Sequence, residues 1–294
     1  MLQERDLHGV FIPLVTPFQA DGSLDLQAYR RYVGTIAQTS LSGIVINGTT
    51  GESPTVSREE VRLLTEAARE AARTRKLKLP IILGTGTNDT VSTVKRTEEA
   101  AVRLGADAAL VVVPYYSRPS QQGIIEHYRQ AASTGVPIIA YVIPSRTGID
   151  LELNTVRAIL EIDGVIGLKD STEDLRLVSV MTRLQHKPIL CGAEENWLAS
   201  LCMGASGGIL AAANVRTDEF VLVQQLVEAG RLPEARDAFE GLAPLIRLLF
   251  QESNPSPLKW LLAHQGVIGS DTVRMPLTGA TEELRNLLQA EAAR

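Results

Sequence analysis

The chain has 294 residues, of which 45% are hydrophobic and 21% charged, a composition typical of a globular protein with a substantial core. The net charge of -5 and the lack of any basic block argue against a nucleic-acid-binding protein. No apolar stretch is long enough to span a membrane, and the first ten residues lack the apolar core of a signal peptide, so we expect a cytoplasmic protein.

Cysteine and histidine are too sparse to indicate a disulfide framework or a metal site. The two cysteines, Cys191 and Cys202, form no C-x-x-C pattern. No two of the four histidines have a spacing typical of zinc ligands; they are His8, His127, His186 and His264. We therefore expect no metal and no other cofactor.

Short apolar runs recur along the chain about every thirty residues. In chain order they are 9–15 (GVFIPLV), 43–46 (GIVI), 80–83 (PIIL), 108–113 (AALVVV), 137–143 (PIIAYVI), 164–168 (GVIGL), 188–191 (PILC) and 207–211 (GGILA). Segments with helical spacing separate them, among them 58–73, 90–104 and 152–161. This alternation predicts parallel strands buried on both faces, and eight such units close into an α/β fold, the (β/α)8 TIM barrel. A doubly wound open sheet is the alternative, but G-x-G-x-x-G is absent after the first strand.

After the eighth run, residues 216–294 carry more helical pattern than one barrel repeat needs, interrupted by 254–257 (NPSP). We therefore predict a catalytic barrel domain over residues 1–230 and a C-terminal helical appendage over residues 231–294.

Polar side chains follow several of these predicted strands. They lie in 47–53 (NGTTGES), 84–88 (GTGTN), 114–119 (PYYSRP), 144–148 (PSRTG) and at Lys169. Catalytic groups of such barrels lie at the carboxyl ends of the strands, so we expect these groups to meet at one mouth.

Lys169 carries the clearest chemical indication. It ends the sixth apolar run, where an unpaired ammonium group would be costly to bury, and it is the only one of the six lysines at a strand end. An amine kept from water is more easily neutral and then acts as a nucleophile. The alternative is a lysine that has left the strand and reached water. Together with hydroxyl groups and Arg146, a lysine here suits imine formation with a carboxylate-bearing ketone.

Each of the neighbouring motifs, taken alone, also has an interpretation that involves no catalysis. Residues 48–51 (GTTG) alone indicate a tight turn, Tyr115 and Tyr116 core or interface aromatics, and Arg146 a surface arginine. Their joint occurrence at successive strand ends favours one site.

The chain resembles the dihydrodipicolinate synthase/N-acetylneuraminate lyase family. The motifs that carry the resemblance are 16–18 (TPF), 48–53 (GTTGES), 114–121 (PYYSRPSQ), 141–148 (YVIPSRTG), 167–169 (GLK), 213–215 (ANV) and 252–260 (ESNPSPLKW). They cover nearly the whole chain, and they are specific for the fold and for Schiff-base chemistry. They are less specific for the substrate.

The resemblance implies four catalytic residues. Lys169 would condense with the ketone of pyruvate, and Tyr141 would be the acid and base over that imine. Thr49 would link Tyr141 to Tyr116, which would reach in from a neighbouring subunit. A homotetramer built from tight dimers would follow.

The resemblance also implies the residues that bind the two small-molecule substrates. Thr50 would bind the carboxylate of pyruvate, with backbone help near Gly192 and Ile209. Arg146 would receive the carboxylate of L-aspartate 4-semialdehyde. The implied reaction condenses the two substrates in lysine biosynthesis.

Two departures keep other activities open. Val142 stands where the synthases have asparagine, and Ala193-Glu194 stand where they have an acidic pair. A related pyruvate aldolase, dehydratase or hydroxyproline-pathway deaminase is the first alternative. A barrel that has lost catalysis and serves as a binding protein is the second, although the retained lysine, tyrosines, threonines and arginine argue against it.

The resemblance bears on regulation as well. Arg58, Val61 and Ser92 occupy positions where lysine-inhibited synthases have polar and acidic side chains that bind the effector. We therefore expect weak inhibition by lysine or none.

Overall fold

A computed structural model describes residues 1–75, 77–184 and 187–292. Lys76 and His186, which the sequence analysis considered, lie outside the described residues. Within them, eight strands pair in chain order and close into a barrel. The strands are β1 (Gly9–Pro13), β2 (Gly43–Ile46), β3 (Ile81–Gly84), β4 (Ala108–Val112), β5 (Ile138–Val142), β6 (Val165–Asp170), β7 (Ile189–Cys191) and β8 (Gly207–Ile209).

The barrel confirms the predicted fold class, and each predicted strand is found. Most strand residues are buried, as expected for strands covered on both faces. The predicted boundaries differ by a few residues. Strand β1 ends two residues early, at Pro13, and β6 continues one residue beyond Lys169, to Asp170.

Helices connect the strands. In chain order they are α1 (Leu26–Ile36), α2 (Arg58–Thr74), α3 (Thr90–Val102), α4 (Gln121–Ala132), α5 (Pro144–Thr147), α6 (Leu153–Leu160), α7 (Arg176–Arg183), α8 (Trp197–Cys202), α9 (Ala213–Glu228), α10 (Leu232–Gln251), α11 (Ser256–His264) and α12 (Glu282–Ala292). Local sequence explains where several begin. Ser57 and Glu60 form a capping box at the start of α2, and Asp89 and Ser120 cap α3 and α4.

The chain divides into two compact units. One comprises Met1–Phe11 and Pro80–Leu210, and its core includes Ile138, Ile159 and Leu168. The other comprises Ile12–Leu79 and Ala211–Arg294, where α1 packs on α2, α9 on α10, and α11 on α12. The helical C-terminal segment is present, while the predicted division at residue 230 stays a prediction.

None of the described helices is both long and apolar enough to cross a membrane. Over the same residues, no three His, Cys, Asp or Glu side chains are grouped so that they could hold a metal ion.

Candidate active site

Lys169 is buried, with only 7% of its surface exposed. Strands β5 and β6 pair in parallel with Tyr141 opposite Lys169, so the two side chains leave the sheet on the same face. The Lys169 Nζ lies 4.3 Å from the centre of the Tyr141 ring. This settles the choice that the sequence left open, because the lysine has not left the strand for water.

No described carboxylate pairs with the Lys169 amine, so the Tyr141 ring face is its close partner in this part of the chain. Asp170 is next in the strand, and alternation directs it to the opposite face. Burial raises the pKa of Asp170 to about 6, although hydrogen bonds from Thr172 oppose the rise. An amine attacks a ketone in its neutral form.

Gly192 keeps space open beside the lysine. A Cβ atom at this position would lie 2.5 Å from Lys169 Cε and 2.3 Å from Ser171 Oγ, closer than atoms in contact approach. The Gly192 backbone N–H donates to the Asp170 carbonyl at 2.7 Å, which ties the end of β7 to β6. Gly192 therefore lies beside Lys169, while its expected part in binding the carboxylate of pyruvate stays a prediction.

Ser171 is a residue that the sequence analysis did not single out. Its hydroxyl oxygen is buried and makes no hydrogen bond with any described residue. Ser171 Oγ and Lys169 Cε both lie within 2.5 Å of the same point above Gly192, so the Ser171 hydroxyl group lies close to the Lys169 side chain. Ser171 stands two residues after Lys169, which is the spacing of side chains on the same face of a strand. This spacing could have indicated that Ser171 lies near the lysine.

Tyr141 lies near the end of β5, and Arg146 lies in the segment that follows this strand. The Tyr141 phenol is buried, and no described residue forms a hydrogen bond with its hydroxyl. Arg146 lies on the short helix α5, exposed, and its guanidinium group forms no hydrogen bond or ion pair with a described residue. Both groups are thus available to a bound molecule.

The loop after β4 presents Tyr116 to solvent. Tyr116 is 90% exposed and has a φ of 73°, a left-handed backbone conformation that a bulky residue rarely adopts. Within this unit it is therefore held away from the core. Ile209 lies in β8, buried and paired with Phe11 of β1.

Thr49 and Thr50 belong to the other compact unit, in the turn after β2. Thr50 is only 3% exposed, and its hydroxyl oxygen accepts a hydrogen bond from Asn254 Nδ2 at 3.1 Å. The Thr49 hydroxyl is half-buried and bonds to no described residue. The sequence alone gave no indication that Asn254 is a partner of this turn.

Two residues beyond Thr50, Glu52 forms a fully buried ion pair. Its Oε1 lies 2.7 Å from Lys259 Nζ, and neither side chain is exposed to solvent. Lys259 was assigned no role from the sequence, and the pattern around it gave no indication that it is buried. The structure therefore brings together Lys169, Tyr141 and Gly192 in one unit, and Thr49 and Thr50 in the other.

Comparisons with known proteins agree on one family. The sequence pattern of the dihydrodipicolinate synthetase family matches residues 6–293. A protein of Methanothrix thermoacetophila named 4-hydroxy-tetrahydrodipicolinate synthase is 36% identical over 279 residues, which span 94% of this chain and 92% of that protein.

Solved structures give the same result. Dihydrodipicolinate synthase of Thermotoga maritima superposes with a TM-score of 0.92 at 32% identity, covering 98% of both chains. The chloride-inhibited enzyme of Acinetobacter baumannii in complex with pyruvate also gives 0.92, at 34% identity and again 98% of both chains. The chain therefore belongs to the dihydrodipicolinate synthetase family.

Proposed function

We propose that this protein is a 4-hydroxy-tetrahydrodipicolinate synthase, a lyase of lysine biosynthesis that condenses pyruvate with L-aspartate 4-semialdehyde. Full-length relatives with this name support the assignment. The observation that carries it is the buried Lys169 amine over the ring of Tyr141.

In the first half-reaction, the neutral Lys169 amine adds to the ketone carbon of pyruvate and gives a carbinolamine. Loss of water then leaves an iminium ion, and loss of a proton from the methyl carbon gives an enamine. The Tyr141 phenol delivers and removes these protons, while Thr50 holds the substrate's carboxylate.

In the second half-reaction, the enamine carbon attacks the aldehyde carbon of the semialdehyde. A carbon–carbon bond forms, and the aldehyde oxygen takes a proton to become the 4-hydroxyl group. The substrate's own amine then displaces the Lys169 nitrogen, which closes the ring and frees the lysine. The guanidinium group of Arg146 holds the carboxylate of this second substrate through a bidentate pair of hydrogen bonds.

The complete site requires a second copy of the chain. Tyr116, exposed as it is in one copy, supplies its hydroxyl to the neighbouring subunit's relay through Thr49 and Tyr141. Tight dimers formed in this way pair into a homotetramer. The cytoplasmic location stays a prediction.

The departures at Val142 and Ala193-Glu194 bear on the alternatives. Val142 is buried in the hydrophobic cluster that also contains Val111 and Leu168, and it pairs with Asp170 rather than Lys169. Alternation along β5 therefore directs Val142 away from the face of Tyr141, and this change by itself does not favour an aldolase, a dehydratase or a deaminase.

Borohydride trapping tests the chemistry. Pyruvate plus borohydride should add mass to one peptide, the one that contains Lys169, and Lys169→Ala should abolish the addition. Lys95→Ala, at an exposed position in α3, is the matched control and should label normally. Labelling that survives in Lys169→Ala would contradict the assignment, and a wild-type chain that never labels would favour the non-catalytic barrel.

A coupled assay then identifies the second substrate. Wild-type enzyme should turn over aspartate semialdehyde in preference to 4-hydroxy-2-oxoglutarate and 2-keto-3-deoxygluconate. In Arg146→Ala, kcat/KM for the semialdehyde should fall about thirty- to a thousandfold, the value of one charge-assisted bidentate pair, while trapping of pyruvate persists. Normal turnover of the semialdehyde by this variant would favour the alternative activities, those of an aldolase, a dehydratase or a deaminase.

A further inference from the structure

We propose that Asn254 is a positioning residue that fixes the Thr50 hydroxyl as a hydrogen-bond donor toward the carboxylate of the keto acid. The proposal deepens the proposed function and rests on it, because Thr50 is the residue assigned to that carboxylate. It gives the C-terminal segment a part in substrate recognition that acts through Thr50.

The direction of one hydrogen bond carries the argument. Asn254 Nδ2 donates to Thr50 Oγ1 at 3.1 Å, and both side chains are buried. An amide nitrogen can only donate, so the threonine oxygen is the acceptor in this bond. The hydroxyl proton of Thr50 is therefore left over, and no described residue accepts it.

A buried hydroxyl proton without an acceptor is unfavourable. An anionic oxygen of the substrate would satisfy it, and a hydrogen bond to a charged acceptor is among the strongest that a hydroxyl group forms. Thr50 is therefore selective for a substrate group that accepts a hydrogen bond. A carboxylate accepts one, whereas a group that can only donate does not.

The same C-terminal segment holds the turn that follows Thr50. Lys259 Nζ donates to Glu52 Oε1 at 2.7 Å and to the Thr16 carbonyl at 2.8 Å. The Thr16 hydroxyl in turn donates to the Gly51 carbonyl at 2.7 Å. Glu52 also has a φ of 57°, a strained value for a glutamate, which indicates a turn held by its surroundings.

The other carboxylate oxygen of Glu52 is bound as well. Glu52 Oε2 accepts from the Arg274 backbone N–H at 2.9 Å. Burial lowers the pKa of Lys259, and the charge of Glu52 opposes the fall. These contacts fix the main chain of the turn. The rotation of the Thr50 hydroxyl group is then left to be fixed by Asn254.

Asn254→Asp reverses the polarity of this bond. The introduced carboxylate accepts the Thr50 proton and places a negative charge beside the substrate's own. We expect KM for pyruvate to rise about ten- to hundredfold, as for a lost hydrogen bond to a charged group. KM for aspartate semialdehyde should stay within about twofold and kcat should change little, since Arg146 holds that substrate. Asn254→Ala, which only frees the hydroxyl to rotate, should raise KM for pyruvate less.

Two controls separate positioning from simple destabilisation. Asn286→Asp adds the same charge at an exposed position of α12, in the same unit, and should leave both KM values unchanged. In a Thr50→Val background, which has no hydroxyl to orient, Asn254→Ala should have no further effect on KM for pyruvate, whereas Thr50→Ser should preserve the effect. A structural role alone predicts the same loss in every background.

The outcomes decide between the two proposals. Equal rises in both KM values, or an Asn254→Ala effect that persists in Thr50→Val, overturn the role of Asn254 and leave the synthase assignment intact. Should Asn254→Asp fail to fold, the alanine series alone decides the question. A wild-type chain that forms no pyruvate imine overturns both proposals.

Discussion

At the scale of single residues, the space beside Lys169 depends on the absence of a side chain at position 192. In Gly192→Ala the new methyl group would lie 2.5 Å from Lys169 Cε, so the lysine side chain has to shift from its present position over the Tyr141 ring. The φ of Gly192 is not in the left-handed region, so the backbone itself tolerates alanine. We expect the rate of pyruvate trapping to fall at least about a hundredfold, as for a reacting group displaced by about 1 Å.

The control for this substitution is Gly241→Ala. A Cβ atom at Gly241 in α10 would have no neighbour within 4 Å, so trapping should be unchanged. Alanine there should raise the free energy of unfolding by about 0.5–1 kcal/mol because it favours helix. A Gly192→Ala enzyme with a wild-type trapping rate would show that Lys169 reacts from a different rotamer.

Residue type and position were sufficient to predict part of the site. Lys169 stood out because it ends an apolar strand with a chemically active group, Tyr141 came from the family resemblance, and the structure places the two in contact. Asn254 could not be found in this way. It bonds to Thr50 across a separation of 204 residues, and no local pattern records which side chains meet after the chain folds. Ser171 was overlooked because a serine after a strand is ordinarily a turn residue.

At the scale of elements, the start of α2 is held by residues from distant parts of the chain. Glu60 completes the capping box with Ser57 and also binds Arg274, whose Nη1 lies 2.9 Å from Glu60 Oε2. The hydrogen bonds from Arg274, with help from Ser57, lower the pKa of Glu60 to about 2. One carboxylate thus joins a helix terminus to the segment before α12.

This pair predicts how stability depends on pH. The pKa of Glu60 is depressed in the folded state, so its stabilisation is complete above its ordinary pKa of 4.5 and is lost as the pH falls toward 2. Glu60→Gln should therefore lower the urea midpoint at neutral pH, and the gap to wild type should narrow as the pH falls below 4.5. Glu283→Gln, at an exposed position in the first turn of α12, should show no such narrowing. A gap that is independent of pH would mean that the pair contributes through packing alone.

The elements themselves were largely predictable. Short apolar runs between turn residues predicted the eight strands, since a strand covered on both faces has little choice of side chains. The helix over 152–161 was predicted within one residue at each end, because Glu152 and Glu161 are its caps. The burial of Lys259 was not predicted, because its sequence neighbourhood in α11 is that of an ordinary helix start. Lys259 is buried together with its ion-pair partner Glu52, which lies 207 residues away in the sequence.

At the scale of the whole molecule, the regulatory expectation concerns two helix starts. Arg58 is the first residue of α2 and is exposed. Ser92 lies in the first turn of α3, and its backbone N–H donates to the Asp89 carboxylate at 2.8 Å. That carboxylate already caps the helix, and hydrogen bonds from Ser92 lower its pKa. It is therefore engaged within the protein rather than free for a lysine ammonium group.

We expect lysine at about 10 mM to reduce the rate by less than half, because Ser92 offers no carboxylate to an ammonium group and Arg58 carries a charge of the same sign. A steady-state titration with both substrates near KM measures this. Ser92→Glu restores the missing charge, and together with Arg58→His, which removes most of the positive charge at neutral pH, it should make inhibition by lysine detectable in the millimolar range. Ser206→Glu, which adds a carboxylate before β8, is the control and should leave the enzyme insensitive to lysine. Cooperative inhibition of the wild-type enzyme below about 1 mM would show that lysine binds through other groups, and the assignment of Arg58, Val61 and Ser92 would then be wrong.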